Sequence, residues 1–89
     1  MNNETYLNHP TFGLLHKICS IEEHKELFTT LYAQRLFFLV KINSGNITFD
    51  PVSRSEARML VESRLRKLLL SESSIEYKQL NAIYQRTFQ

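Results

Sequence analysis

Cysteine is nearly missing from this chain. Cys19 is alone among 89 residues, so no internal disulfide can form, and a small fold stapled by disulfides is excluded. Glycine and proline are also scarce, two of each. That is too little for a linker-like chain, and two glycines are too few for a phosphate-cradling loop. Tryptophan is absent. No apolar run approaches the roughly 20 residues that a membrane span requires. Met1 to Thr5 are polar and include Glu4, unlike the charged and apolar regions of a secretory signal, so the expected compartment is a reducing cytoplasm.

What is present is apolar enough to fold. Hydrophobic residues make up 43% and aromatics 11%, more than a disordered chain carries. The length suits one small domain with little room for a deep active site. The net charge of +2 is unevenly spread: residues 1–53 hold four basic and five acidic side chains, residues 54–89 seven and four. The secondary-structure signals change at the same place.

Before Ser53 the pattern predicts strands. Leu14–Cys19, Leu27–Tyr32, Arg35–Ile42 and Asn46–Phe49 are short runs rich in β-branched and aromatic residues. Asn43-Ser44-Gly45-Asn46 tolerates positive φ and predicts a hairpin turn. Pro51 lacks an N–H for the ladder and is expected to close the last strand. Ala33-Gln34 marks no turn, and residues 27–40 also fit a helical period, so one buried helix there is the competing expectation.

After Ser53 the pattern predicts two helices. Ser53 and Glu56 form a capping box, and so do Ser73 and Glu76. Ala57, Leu60, Val61, Leu65, Leu68 and Leu69 draw one apolar stripe; Tyr77, Leu80, Ile83, Tyr84 and Phe88 draw the next. The short break at residues 71–73 implies an antiparallel helical hairpin.

Chemistry-bearing constellations are thin. His16, Cys19 and His24 could suggest a metal, but the spacing fits no zinc motif, and on a regular strand His16 and Cys19 would face opposite sides. No serine or cysteine sits in a nucleophile motif. No enzyme activity, cofactor or metal is expected. Arg54, Arg58, Arg64, Arg66 and Lys67 spread around their helix with Glu56 and Glu62 between them, a sparser array than a groove-reading helix presents. A small nucleic-acid-binding module with a basic helical tail is the alternative reading. The aromatic count is more telling. In residues 35–42 both strand faces are apolar, with Leu36, Phe38, Val40 and Ile42 on one and Phe37 and Leu39 on the other. One face can pack on the core; the other needs helices or a partner protein over it.

Two long stretches are distinctive: Tyr6-Leu-Asn-His-Pro-Thr-Phe-Gly-Leu-Leu15, and Glu26-Leu-Phe-Thr-Thr-Leu-Tyr-Ala-Gln-Arg-Leu-Phe-Phe-Leu-Val40. With Arg54, Glu56, Ala57 and Arg58 opening the first helix, the chain resembles the PipX family of cyanobacterial PII-interacting proteins. The resemblance is close over residues 4–40 and fair to about 67. It implies an α+β fold: a Tudor-like, SH3-like bent antiparallel five-stranded sheet (residues 1–53) followed by two C-terminal helices (54–89). It favours strands over the helix alternative at 27–40. It implies an adaptor that binds the signalling protein PII through its T-loop when 2-oxoglutarate is scarce and ADP relatively abundant. When 2-oxoglutarate is abundant, the same surface engages the transcription factor NtcA as a coactivator. By the same resemblance, a GntR-type regulator reached through PII and RNA polymerase join the partners, with no direct nucleic-acid or membrane contact. Positions matching the binding surface are Glu4, Tyr6, Phe12, Tyr32, Gln34, Arg35, Leu36 and Phe38; Phe12 and Phe38 also fit a core.

Overall fold

A computed structural model of the chain describes residues 6–31 and 36–88. Five strands come first: β1 (Tyr6–His9), β2 (Gly13–Glu22), β3 (Lys25–Thr30), β4 (Phe37–Asn43) and β5 (Asn46–Val52). Two helices follow, α1 (Arg54–Leu70) and α2 (Ser74–Phe88). The strands pair antiparallel in the order β1-β2-β3-β4-β5 and curl into a half-barrel. This is the α+β fold expected from the resemblance, with β1 added to the four strands that the residue pattern predicts.

The run at β4 is apolar on both faces because both faces are covered. Phe37 points to a cluster shared with the helices: Ile18, Leu27, Ala57, Val61, Leu65, Leu68, Leu80, Tyr84 and Phe88. Its ring stacks on Phe88 with centroids 5.4 Å apart. Phe38 points the other way, into a second cluster with Leu15, Phe28 and Val40. The sheet closes this face by curling over itself, so the helical hairpin covers one side only.

β2 is the longest strand and is irregular. Lys17 pairs with Phe28 and Cys19 with Leu27, which leaves Ile18 as an extra residue in a bulge. The bulge corrects the expectation that His16 and Cys19 face opposite sides. His16 lies opposite Thr29 and Cys19 opposite Leu27, and residues 27 and 29 share the helix-covered face. The inserted residue restores the parity that an odd spacing would break. Burial pushes the Cys19 thiol up to about 12, so it is held protonated and unreactive.

Pro51 does not end the last strand. It lies within β5 opposite Phe38, and Val52 continues the pairing to Phe37. β5 is an edge strand, where a missing donor is tolerated. The 43–46 hairpin forms as expected, with Ser44 and Gly45 at φ 51° and 83°.

Ser53 caps α1 reciprocally: Glu56 N–H donates to Ser53 Oγ at 3.0 Å, and Ser53 N–H donates to Glu56 Oε1 at 3.0 Å. At the other end Glu72 N–H donates to the Leu69 carbonyl and Ser73 N–H to the Leu68 carbonyl. This is a Schellman closure with Glu72, at φ 61°, where glycine is usual. The second capping box is replaced: Ser73 Oγ lies 3.0 Å from Ser71 Oγ instead. Leu69, expected in the buried stripe, is 58% exposed. It sits in the last turn of α1, where the chain is already leaving for α2.

One polar cluster ties the helices together. Tyr84 Oη donates to Glu62 Oε2, and Arg58 Nε donates to both groups at 3.2 Å. The Tyr84 hydroxyl holds the Glu62 carboxyl below its usual range. A depressed carboxyl stabilises the fold above its unfolded-state value and stops doing so as pH falls through its folded-state value. A Tyr84→Phe variant should therefore melt below the parent at pH 7. The gap should close as pH drops through the carboxylate range, roughly 4.3 and below. Thermal melts of both proteins at neutral and acid pH check this; a gap independent of pH rules out the Glu62 contact as its source.

Candidate functional site

The first hairpin builds the site. Pro10 presets φ for a turn, and Gly13 takes φ 77° where the chain re-enters β2. A Cβ at Gly13 would meet nothing within 4 Å, so the backbone conformation, not space, asks for glycine there. His9 sits opposite Gly13 at the end of the ladder. Its Nδ1 accepts from the amides of Thr11 at 3.0 Å and Phe12 at 3.2 Å.

Around His9 the aromatics gather. Its ring lies 5.0 Å from Phe12, 4.9 Å from Phe38 and 4.9 Å from Phe49, centroid to centroid. Phe12 is also 5.7 Å from Phe38. These distances are typical of favourable aromatic pairs. Together with Leu36 and Pro51 the rings line an apolar groove of about 390 Å³. Phe38 is buried at 4% exposure and forms its floor; Phe12 is 45% exposed and forms its rim.

Leu36 is fixed by the backbone. Its carbonyl accepts from Thr30 N–H at 3.1 Å and from Thr29 Oγ1 at 2.9 Å, and its own N–H donates to Thr30 Oγ1 at 3.1 Å. These three bonds clamp the point where the chain returns from residues 32–35 into β4. Thr29 and Thr30, expected only as strand formers, thus also hold the groove wall.

Of the site residues expected from sequence, the structure brings Phe12, Leu36 and Phe38 together. Tyr6 is exposed on β1 but outside the groove lining, with its ring 5.5 Å from His16. Glu4, Tyr32, Gln34 and Arg35 lie outside the described residues. His9, Phe49 and Pro51 also line the groove, though no motif in the sequence marks them as site residues. The signal available for His9 was its place just before Pro10 in a turn that ends on a glycine; nothing local pointed to Phe49.

Among the described residues no group of three His, Cys, Asp or Glu side chains could hold a metal ion. No helix there is long and apolar enough to cross a membrane. What the arrangement offers is an apolar, aromatic concavity with a protruding phenyl ring, suited to gripping a side chain or backbone of another protein.

No curated protein matches the chain. The sequence model of one family does, described as PipX, PII-interacting protein X, and it spans residues 3–88. That span takes in the whole sheet, the groove and both helices, so the chain belongs to the PipX family.

Proposed function

We propose that this chain is a small adaptor acting by competitive protein binding. It binds PII when 2-oxoglutarate is scarce and ADP relatively abundant, and NtcA when 2-oxoglutarate is abundant, through one shared surface in the 1–53 part. Bound to NtcA it serves as a coactivator. The family match over residues 3–88 carries this reading. The groove of His9, Phe12, Leu36 and Phe38 supports it, since aromatic side chains contribute large contact areas at low entropic cost. By the family resemblance, Glu4, Tyr6, Tyr32, Gln34 and Arg35 also belong to the partner-binding residues. The helical hairpin, residues 54–89, serves the further partners, RNA polymerase and a GntR-type regulator. Leu69, Leu70 and Ile75, all exposed around its tip, support that assignment.

A nucleic-acid module draws less support from the side chains. Arg58 is engaged by Glu62 and Tyr84, and the Arg54 guanidinium lies 5.4 Å over the Phe88 ring. Capture on immobilised PII tests the adaptor reading. The chain should be retained with ADP and eluted by ATP, Mg²⁺ and 2-oxoglutarate together. Retention indifferent to 2-oxoglutarate overturns the switching, and no retention in either condition overturns the partner.

A further inference from the structure

His9 is half-buried and neither reaches far into solvent nor closes the core, yet two backbone donors and three rings converge on it. The two amides come from successive residues of one turn, Thr11 and Phe12. An asparagine side chain does the same in an Asx turn, where its oxygen accepts from amides two and three residues ahead. Here an imidazole takes that part. Nδ1 can accept two N–H groups only if it carries no proton itself, so the proton of the neutral ring sits on Nε2.

We propose that His9 is a positioning residue of the binding surface: its Nδ1 holds the turn over residues 10–13 in one conformation and so presents Phe12, already ordered, at the rim of the groove. This rests on the adaptor reading given above and deepens it, because it says how that surface is kept ready for a partner. The reason is entropic. Phe12 is 45% exposed, so packing alone holds it weakly. A loop that must order on binding loses affinity to that ordering; one held beforehand does not. Without an acceptor the two amides are solvent-accessible and turn to water. The fold then persists while the presentation of Phe12 is lost.

Two substitutions separate the acceptor from the ring. His9→Phe keeps an aromatic against Phe38 and Phe49 but offers no acceptor. His9→Asn gives up the ring and keeps an oxygen at the right reach. Hydrogen exchange should show the Thr11 and Phe12 amides protected in the parent and in His9→Asn, and fast in His9→Phe. The ¹⁵N shifts of the parent imidazole should report the Nε2-protonated tautomer. Affinity for PII with ADP should fall about tenfold in His9→Phe with the circular dichroism of the parent kept, while His9→Asn is read by the exchange of the Thr11 and Phe12 amides alone, since it also gives up the ring that lines the groove. A His9→Phe variant that binds as the parent does overturns the inference, as does a parent imidazole protonated on Nδ1. Parent protein that fails to bind PII instead overturns the adaptor reading and takes this inference with it. If His9→Phe loses its native circular dichroism, the exchange and tautomer results on the parent and His9→Asn decide.

Discussion

Phe28→Ala should remove a large share of the stability of the fold. Phe28 is the largest of the fully buried side chains, at 0% exposure, and with Leu15, Phe38 and Val40 it fills the concave side of the sheet. It also pairs across the sheet with Lys17 on one side and Phe38 on the other, so two inter-strand contacts are lost with it. Truncating a core phenylalanine costs about 3–5 kcal/mol, the transfer term plus the cavity left behind. A domain of this size has roughly 4–13 kcal/mol in total at 0.05–0.15 kcal/mol per residue. The variant should therefore melt about 12–40 °C lower, at 4–8 °C per kcal/mol. The helices do not offset the loss, because they cover the opposite face. Thermal melts by circular dichroism measure it. A drop under about 5 °C would mean that the curled sheet can collapse onto the hole, and that the concave cluster is not the chief support of the half-barrel.

Phe12→Ala should do the reverse and weaken binding about thirtyfold with little change in the fold. Its ring is 45% exposed and contacts only the turn and the groove: His9 at 5.0 Å and Phe38 at 5.7 Å. Exposed substitutions away from caps and cores usually change stability by no more than about 0.5 kcal/mol. Aromatic anchors at an interface commonly contribute about 2 kcal/mol or more when truncated, which is roughly a thirtyfold loss of affinity. Titration calorimetry with PII and ADP reads the second number and a melt reads the first. Parent-like affinity in this variant would place the binding surface elsewhere on the sheet. The pair of variants is informative together. Phe28 and Phe12 are the same residue type, sixteen positions apart, and burial separates them: one fills the core and the other stands exposed at the groove rim.

That difference is only partly legible in the sequence. The strand character of 14–19, 27–32, 35–42 and 46–49 follows from local composition, and each range contains strand residues among the described residues: β2, Lys25–Thr30, Phe37–Asn43 and β5. The helix at 27–40 that periodicity also allowed is excluded, since Lys25–Thr30 and Phe37–Asn43 pair as neighbours. The strand at Tyr6–His9 was not visible in the residue pattern, because four residues with alternating modest hydropathy carry almost no signal; only the family resemblance counted it. Phe12 and Phe38 fitted core or surface equally well on sequence, and they differ because one stands on a turn and the other at a paired position in β4.

By itself, then, the sequence determined what depends on residues three or four apart. Ser53 and Glu56 are that close, and their reciprocal cap starts α1 where expected. Gly45 stands next to Ser44 in a two-residue turn, and the apolar stripes of both helices repeat at three and four. The tertiary structure alone decided what depends on distant partners. The bulge at Ile18 puts His16 and Cys19 on one face, because the hydrogen bonds that define it run to β3. The groove joins His9 to Phe49, forty residues along the chain, at a centroid distance of 4.9 Å. Periodicity cannot see such a pair: side-chain pattern records which face of an element is apolar, while the curl of the sheet decides which faces meet.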